Sequence, residues 1–175
     1  MPCSGGALAA AITTANGLGS AVLSLPAGCT FNVATPATAA DGLPIITGSV
    51  TLAGGQNTAI KRVGSAAYRL LEVAAGGTLI VNHVTVSRGS TAGPGGAILD
   101  GGTLIVNQAA LAQNTAGNGG AISITAGATA RITDTLFSAN TTTGVGGGAI
   151  INFATLTLDG SASLTPGWAP AAAPG

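Results

Sequence analysis

The sequence predicts an all-β chain wound as a right-handed parallel β-helix, with a short helix capping its N-terminal end. Three observations carry that prediction. One block occurs twice unchanged, as Gly76-Gly77-Thr78-Leu79-Ile80-Val81-Asn82 and again, 25 residues on, as Gly101-Gly102-Thr103-Leu104-Ile105-Val106-Asn107. Weaker copies follow at Thr129–Thr133 and Thr155–Asp159, each 26 residues further. Repeats of this length mark stacked supersecondary units rather than one globular core. Other apolar columns keep the same register: Val81, Val106, Ile132 and Leu158; Val86, Leu111 and Phe137; Ile98, Ile122 and Ile150. Within each repeat the apolar period is two, as in Leu79 and Val81 or Val84 and Val86, which is strand spacing.

Each coil then reads as three short strands separated by corners. Asn82-His83 breaks one alternation. Gly95-Gly96 and Gly119-Gly120 mark a second corner, where glycine takes positive φ without steric cost. Three to four coils would stack to about 15–20 Å at the usual inter-strand spacing. A strand running on to a parallel strand crosses over right-handed almost without exception, which sets the expected hand.

The first residues depart from this pattern. Ser4 suits an N-cap for a helix with apolar positions Leu8, Ala11, Ile12 and Ala15 and a stop at Asn16-Gly17. A strand is expected at 21–25, then a turn at Pro26-Ala27-Gly28. A helix at the end of a solenoid covers its open apolar end and blocks its edge strands. Cys3 and Cys29 bracket this cap. With no His/Cys cluster nearby they favour a disulfide over a metal site, two buried thiols being the remaining alternative. A bridge closing such a loop is worth about 3–4 kcal/mol on the loop-entropy account. The resulting division is a cap over 1–42, coils over 43–164 and an Ala/Pro/Gly tail or linker over 165–175.

Composition fits a solenoid. Hydrophobic residues make up 46% and charged residues 6%, so the chain has the means to bury a core and none of the charge that keeps disordered chains open. Aromatics are 3%, so the interior is expected to be ladders of Ala, Val, Leu and Ile. Five basic and five acidic residues balance, which gives no electrostatic reason to expect nucleic acid or an anionic membrane. No apolar run is long enough to span a bilayer.

Cys3-Ser4, Ala7-Leu8, Ala11-Ile12, Ala15-Asn16 and Leu25-Pro26-Ala27-Gly28-Cys29-Thr30-Phe31 together resemble the N-terminal cap of bacterial CSLREA-type right-handed β-helix proteins. Leu43–Leu52 and Tyr68–Gly77 look like the first coils of that family. Asn114-Thr115-Ala116 and Ser138-Ala139-Asn140-Thr141 look like the Ser-Gly-Asn-Thr-Ala segments of polymorphic outer-membrane proteins. The resemblance covers roughly residues 3–164. It implies a pectin-lyase-like β-helix, secreted or displayed at the cell surface, usually without a known activity. Family members carry a leader before the cap, whereas Met1-Pro2 alone precede Cys3 here. Pro166 and Pro170 break the strand pattern, so the stack is expected to stop near Leu164.

Chemistry-bearing residues are few. A β-helix enzyme acting on acidic polysaccharide needs a carboxylate cluster with a base or a bound cation. The acids are Asp41, Glu72, Asp100, Asp134 and Asp159. Repeat alignment puts Asp159 in the column of Asn82, Asn107 and Thr133, and Asp134 one column over with His83 and Gln108. His83, Asp134 and Asp159 are therefore the polar-corner candidates, with solvated corners the simpler reading and an Asp–Arg131 surface pair a minor option. Asn82 and Asn107 suit a stacked amide ladder. The glycine runs lack the Lys-Ser/Thr of a phosphate loop and read as turns. No catalytic residue, cofactor or metal is expected.

Three function classes stay open. The leading one is a non-catalytic, structural or adhesive module with extracellular carbohydrate or protein as partner, and with self-association through its C-terminal edge. The second is a fragment of a carbohydrate-active β-helix enzyme whose site lies elsewhere. The third is an ice-binding solenoid, which would need a regular outward Thr array; of the repeat rungs only Thr155/Thr157 has two, and Arg131 interrupts the face.

Overall fold

The computed structural model describes residues 1–144 and 146–163. Val145, Leu164 and the expected tail at 165–175 lie outside the described residues. The chain is a parallel β-solenoid of about five turns, with one helix at its N-terminal end.

The first sheet carries the repeat. Its strands Ser20–Ser24, Ser49–Ala53, Thr78–Asn82, Thr103–Asn107, Thr129–Thr133 and Thr155–Asp159 lie side by side in that order, all parallel. The duplicated blocks pair residue on residue, Thr78 with Thr103 through Asn82 with Asn107. Val81, Val106 and Ile132 stack inward and are fully buried. Leu158 completes the column but is 40% exposed, because it lies on the last described rung. Six rungs at the usual spacing make about 24 Å, more than the 15–20 Å expected. The two earliest rungs, Ser20–Ser24 and Ser49–Ala53, lack the Gly-Gly-Thr-Leu block and so escape the repeat count.

A second sheet stacks Thr30–Val33, Ala59–Arg62, Thr85–Ser87, Ala110–Ala112, Leu136–Ser138 and Ala162–Ser163. Its interior column includes Phe31, Ile60, Val86, Leu111 and Phe137. A third sheet stacks Leu71–Val73, Ile98–Asp100, Ile122–Ile124 and Ile150–Asn152, with Ile98, Ile122 and Ile150 in one column. A two-residue pair, Thr115–Ala116 with Thr141–Thr142, adds a short fourth side. The interior is mostly aliphatic, as expected, yet the largest fully buried side chains include Tyr68 and Phe31. Tyr68 donates its hydroxyl hydrogen to the Val33 carbonyl at 2.9 Å, which satisfies the one polar group it takes inside.

Corners have their own ladders. Between the first and second sheets the residues Gly28, Asn57, His83, Gln108, Asp134 and Gly160 all hold φ between 47° and 72°. They occupy one position on six successive coils. That left-handed conformation strains most side chains and favours Gly, Asn, Asp and His. The sequence interruption at Asn82-His83 is this corner. On the side of the short strand pair the coils approach so closely that a Cβ on Gly96 would collide with the carbonyls of Gly120 and Thr115.

Helix α1 spans Gly5–Leu18, and Ser4 caps it by accepting from the Ala7 N–H at 3.2 Å. Leu8, Ile12 and Ala15 are buried against the strands Ser20–Ser24, Thr30–Val33 and Ser49–Ala53. The helix runs past the expected stop at Asn16-Gly17. Gly19, at φ 76°, is the C-cap, and its N–H bonds to the Asn16 carbonyl. The Asn16 side chain does other work: it donates to the Ile45 carbonyl at 2.8 Å and accepts from Thr47 N–H at 3.0 Å, tying helix to coil. The strand expected at 21–25 begins and ends one residue earlier. Cys3 and Cys29 form a disulfide with Cα atoms 5.4 Å apart, fixing the helix start to the first coil.

The interior also holds an asparagine ladder. Asn114 and Asn140 sit one coil apart, both buried. Asn114 donates to Asn140 Oδ1 at 3.0 Å and to the Val86 carbonyl at 3.2 Å, and it accepts from Gly89 N–H at 2.9 Å. Truncating it strands several buried groups at once. Asn114→Ala is expected to lower unfolding free energy by on the order of 3 kcal/mol in urea titrations, whereas Thr115→Ala, whose hydroxyl faces solvent beside Thr141, should cost under about 1 kcal/mol.

Candidate functional site

The sequence-predicted polar corner is real as a position. His83 and Asp134 share the left-handed column, and Asp159 ends the column of Asn82, Asn107 and Thr133. The Asp134 N–H donates to the Asp159 carbonyl at 2.9 Å, so these two residues are neighbours on successive coils. All three side chains are exposed. Arg131 joins no ion pair among the described residues, so the surface pair considered above does not form. Asn107 donates to Asn82 Oδ1 at 2.9 Å, the expected amide ladder.

Beside this corner runs a groove of about 400 Å³. Gln56, Asn57, His83 and Gln108 form its polar wall, Ala109 and Ala110 its floor, and Leu136 closes one end. No acidic or basic residue except His83 lines it. A second groove, about 380 Å³, lies between the start of α1 and residues 32–37. Neither groove is lined by a carboxylate.

The chain's charged convergence lies elsewhere. Asp41 and Arg69 pair as a parallel bridge and are 3% and 7% exposed. Arg69 Nε stands 2.9 Å from Asp41 Oδ1 and 3.7 Å from a Glu72 oxygen. The shorter contact is off the hydrogen-bond direction, so it is a charge–charge contact. The rest of the guanidinium donates to the Pro94 carbonyl at 3.2 Å, and Thr38 donates its hydroxyl hydrogen to Asp41 Oδ2 at 2.7 Å. Burial raises the Glu72 carboxyl above its ordinary range, as does Asp41 beside it, against the pull of Arg69. Repeat alignment singled out Asp134 and Asp159, yet the two acids that meet at one arginine are Asp41 and Glu72. Asp41 and Arg69 are 28 residues apart, about one coil, and Glu72 lies three residues beyond Arg69. That spacing was visible, but residues 34–47 carry no repeat block and so offered no register in which to align Asp41.

Asp100 is the second surprise. It occupies the interior column of Val73, Ile124 and Asn152 and is fully buried. Its Oδ1 accepts from Gly102 N–H at 3.0 Å, while Oδ2 has no partner. Burial pushes its carboxyl up to about 6, opposed by the Gly102 hydrogen bond. Asn152 makes the same turn two coils on, accepting from Ala154 N–H at 3.0 Å and using its amide to donate to the Ala154 carbonyl at 3.2 Å.

On the outward side of the first sheet, Ser20, Ser49, Thr78, Thr103, Thr129 and Thr155 form an unbroken hydroxyl column. The adjacent column reads Val22, Thr51, Ile80, Ile105, Arg131 and Thr157. Ile80 and Ile105 do stand side by side, half-buried.

Among the described residues no group of three or more His, Cys, Asp or Glu side chains could hold a metal ion, and no helix is long and apolar enough to cross a membrane. No protein-family model matches the chain, and neither a curated protein nor a solved structure matches it. The class defined by geometry is thus a disulfide-pinned parallel β-solenoid.

Asp100 titrates in a useful window. An acid whose folded value lies above its ordinary 3.8 favours the folded state fully below that value and loses the advantage as pH rises through about 6. The difference amounts to about 3 kcal/mol. Asp100→Asn keeps the turn, as Asn152 demonstrates. Urea titrations should find the two proteins similar at pH 4, with the variant more stable by up to about 3 kcal/mol above pH 7.

Proposed function

We propose that the chain is a non-catalytic solenoid module, structural or adhesive in role, working outside the reducing cytosol at a cell surface or in the medium. One observation carries this reading: where the acids and a base converge, they serve the fold. Asp41 and Arg69 are buried, and neither groove is lined by a carboxylate. The cluster clips the irregular segment around Thr38–Asp41 to the start of the third sheet. The Cys3–Cys29 bridge supports an oxidising compartment, where such bonds persist. The resemblance of the cap to bacterial CSLREA-type surface proteins supports the same setting.

A carbohydrate-active enzyme is the second reading, and Glu72 favours it. A carboxyl pushed above its ordinary range by burial and by a second carboxylate beside it is shifted in the direction a general acid requires, and Glu72 keeps a quarter of its side chain exposed. Ice adsorption draws support from the hydroxyl column alone, and Ile80, Ile105 and Arg131 keep the neighbouring column from matching it.

Incubation of the purified protein with polygalacturonate, xylan and mixed-linkage β-glucan separates the first two readings. Reducing-end release and unsaturated-product absorbance should stay at the level of a heat-denatured control. Turnover that disappears in Glu72→Gln would contradict the non-catalytic reading and establish the enzyme.

A further inference from the structure

The groove beside the left-handed corner has a chemistry that the fold itself does not use. Its polar wall comes from successive coils: Gln56 and Asn57, then His83, then Gln108. Among the described residues none of these four side chains has a hydrogen-bond partner within the chain. Each both donates and accepts, as does Thr85 beside them, whereas the Thr58 hydroxyl is spent within the fold on Pro26 and Gly55. The floor is small and apolar at Ala109 and Ala110, and Leu136 stands up at the end, 37% exposed. Residues from four coils contribute, so the groove extends over three rung spacings, about 14 Å.

We propose that this groove binds a short neutral oligosaccharide. The inference deepens the adhesive reading above and rests on it. A sugar ring offers vicinal hydroxyls that donate and accept in pairs, matching a ladder of amides and an imidazole, and C–H faces that suit Ala110 and Leu136. Alternatives fit less well. An acidic glycan or a nucleic acid would need cations, and no Lys or Arg lines the groove. A peptide adding a strand needs free backbone groups, but here they are spent between coils: Thr85 N–H on the Thr58 carbonyl at 2.9 Å, Ala110 N–H on Val84 at 3.2 Å and Leu136 N–H on Ala109 at 3.0 Å. Recognition must therefore come from side chains. The volume falls in the ordinary range for small-ligand sites.

The backbone supplies a clean test. His83 and Gln108 hold φ of 54° and 48°, where glycine is at no steric disadvantage. His83→Gly with Gln108→Gly therefore strips the wall without straining the corner. Ala110→Leu fills the floor and leaves the wall intact. The full chain is titrated with β-1,4-linked tetrasaccharides of glucose, mannose and xylose, and with tetragalacturonate, by calorimetry and by amide chemical-shift mapping. At least one neutral tetrasaccharide should bind, moving the amides of Thr85, Gln108 and Ala110. The double glycine variant and Ala110→Leu, each unfolding cooperatively as the parent does, should each weaken it at least tenfold. No binding by any neutral probe, binding by tetragalacturonate alone, or binding indifferent to both variants would overturn the proposal. Chromatography of the recovered probe keeps the two levels apart: intact probe preserves the non-catalytic reading whatever the affinity, whereas cleavage overturns that reading without touching the location of the site.

Discussion

Hydrogen bonds between coils, in strict register, are the interaction on which the rest of this structure depends. A parallel sheet satisfies each backbone group only if the next coil places its partner at the same height. The register therefore propagates from strands into corners: Gly54 bonds to Asn82, His83 to Asn107, Gln108 to Thr133 and Asp134 to Asp159, backbone to backbone, at 2.8–3.1 Å. Once that is imposed, side chains have no freedom to choose neighbours. Each stacks on its equivalent one coil away. Valine meets valine and asparagine meets asparagine because the backbone requires it.

Such stacking suits apolar columns and makes polar ones demanding. Asn82 on Asn107 and Asn114 on Asn140 work because an amide can donate to one neighbour and accept from another. A carboxylate cannot. Asp100 on the interior column has one oxygen satisfied and one idle, and its carboxyl is pushed up accordingly. At Asp41, Glu72 and Arg69 a base from the neighbouring segment resolves the same difficulty. Breaking such a pair by removing one partner costs more than the pair itself contributes, so the cluster also specifies how the irregular segment before the regular coils must dock.

Legibility in the sequence followed the repeat. Val81, Val106 and Ile132 align in the sequence because an identical block contains two of them, and the corner at Asn82-His83 shows as a break in alternation. The disulfide was readable from the placement of Cys3 and Cys29 around one helix. Where the repeat fades, inference faded too. The rungs at Ser20–Ser24 and Ser49–Ala53 have the alternation but not the block, so the stack looked shorter than it is. Asn16-Gly17 read as a helix stop because the asparagine's true task, bridging to Ile45 and Thr47, is a contact 29 residues away. Asp41 could not be joined to Arg69 without a register for the segment between them, and the buried position of Asp100 was masked by the turn-like Asp100-Gly101-Gly102.

Register also shapes what the surface can offer. Regular columns give repeated chemistry along the stack, over about 24 Å in the hydroxyl column and about 14 Å in the corner groove. The central claim is therefore the register itself, and inter-strand nuclear Overhauser effects test it most directly. A ¹³C/¹⁵N-labelled sample should show amide-to-Hα contacts characteristic of parallel pairing between residues 25 or 26 apart, such as Ile80 with Ile105 and Arg131 with Thr157. Contacts running in the antiparallel sense would contradict the account, as would a register displaced by even one residue, which would set Val81 beside an outward neighbour of Val106 and turn one of the two valines out of the core.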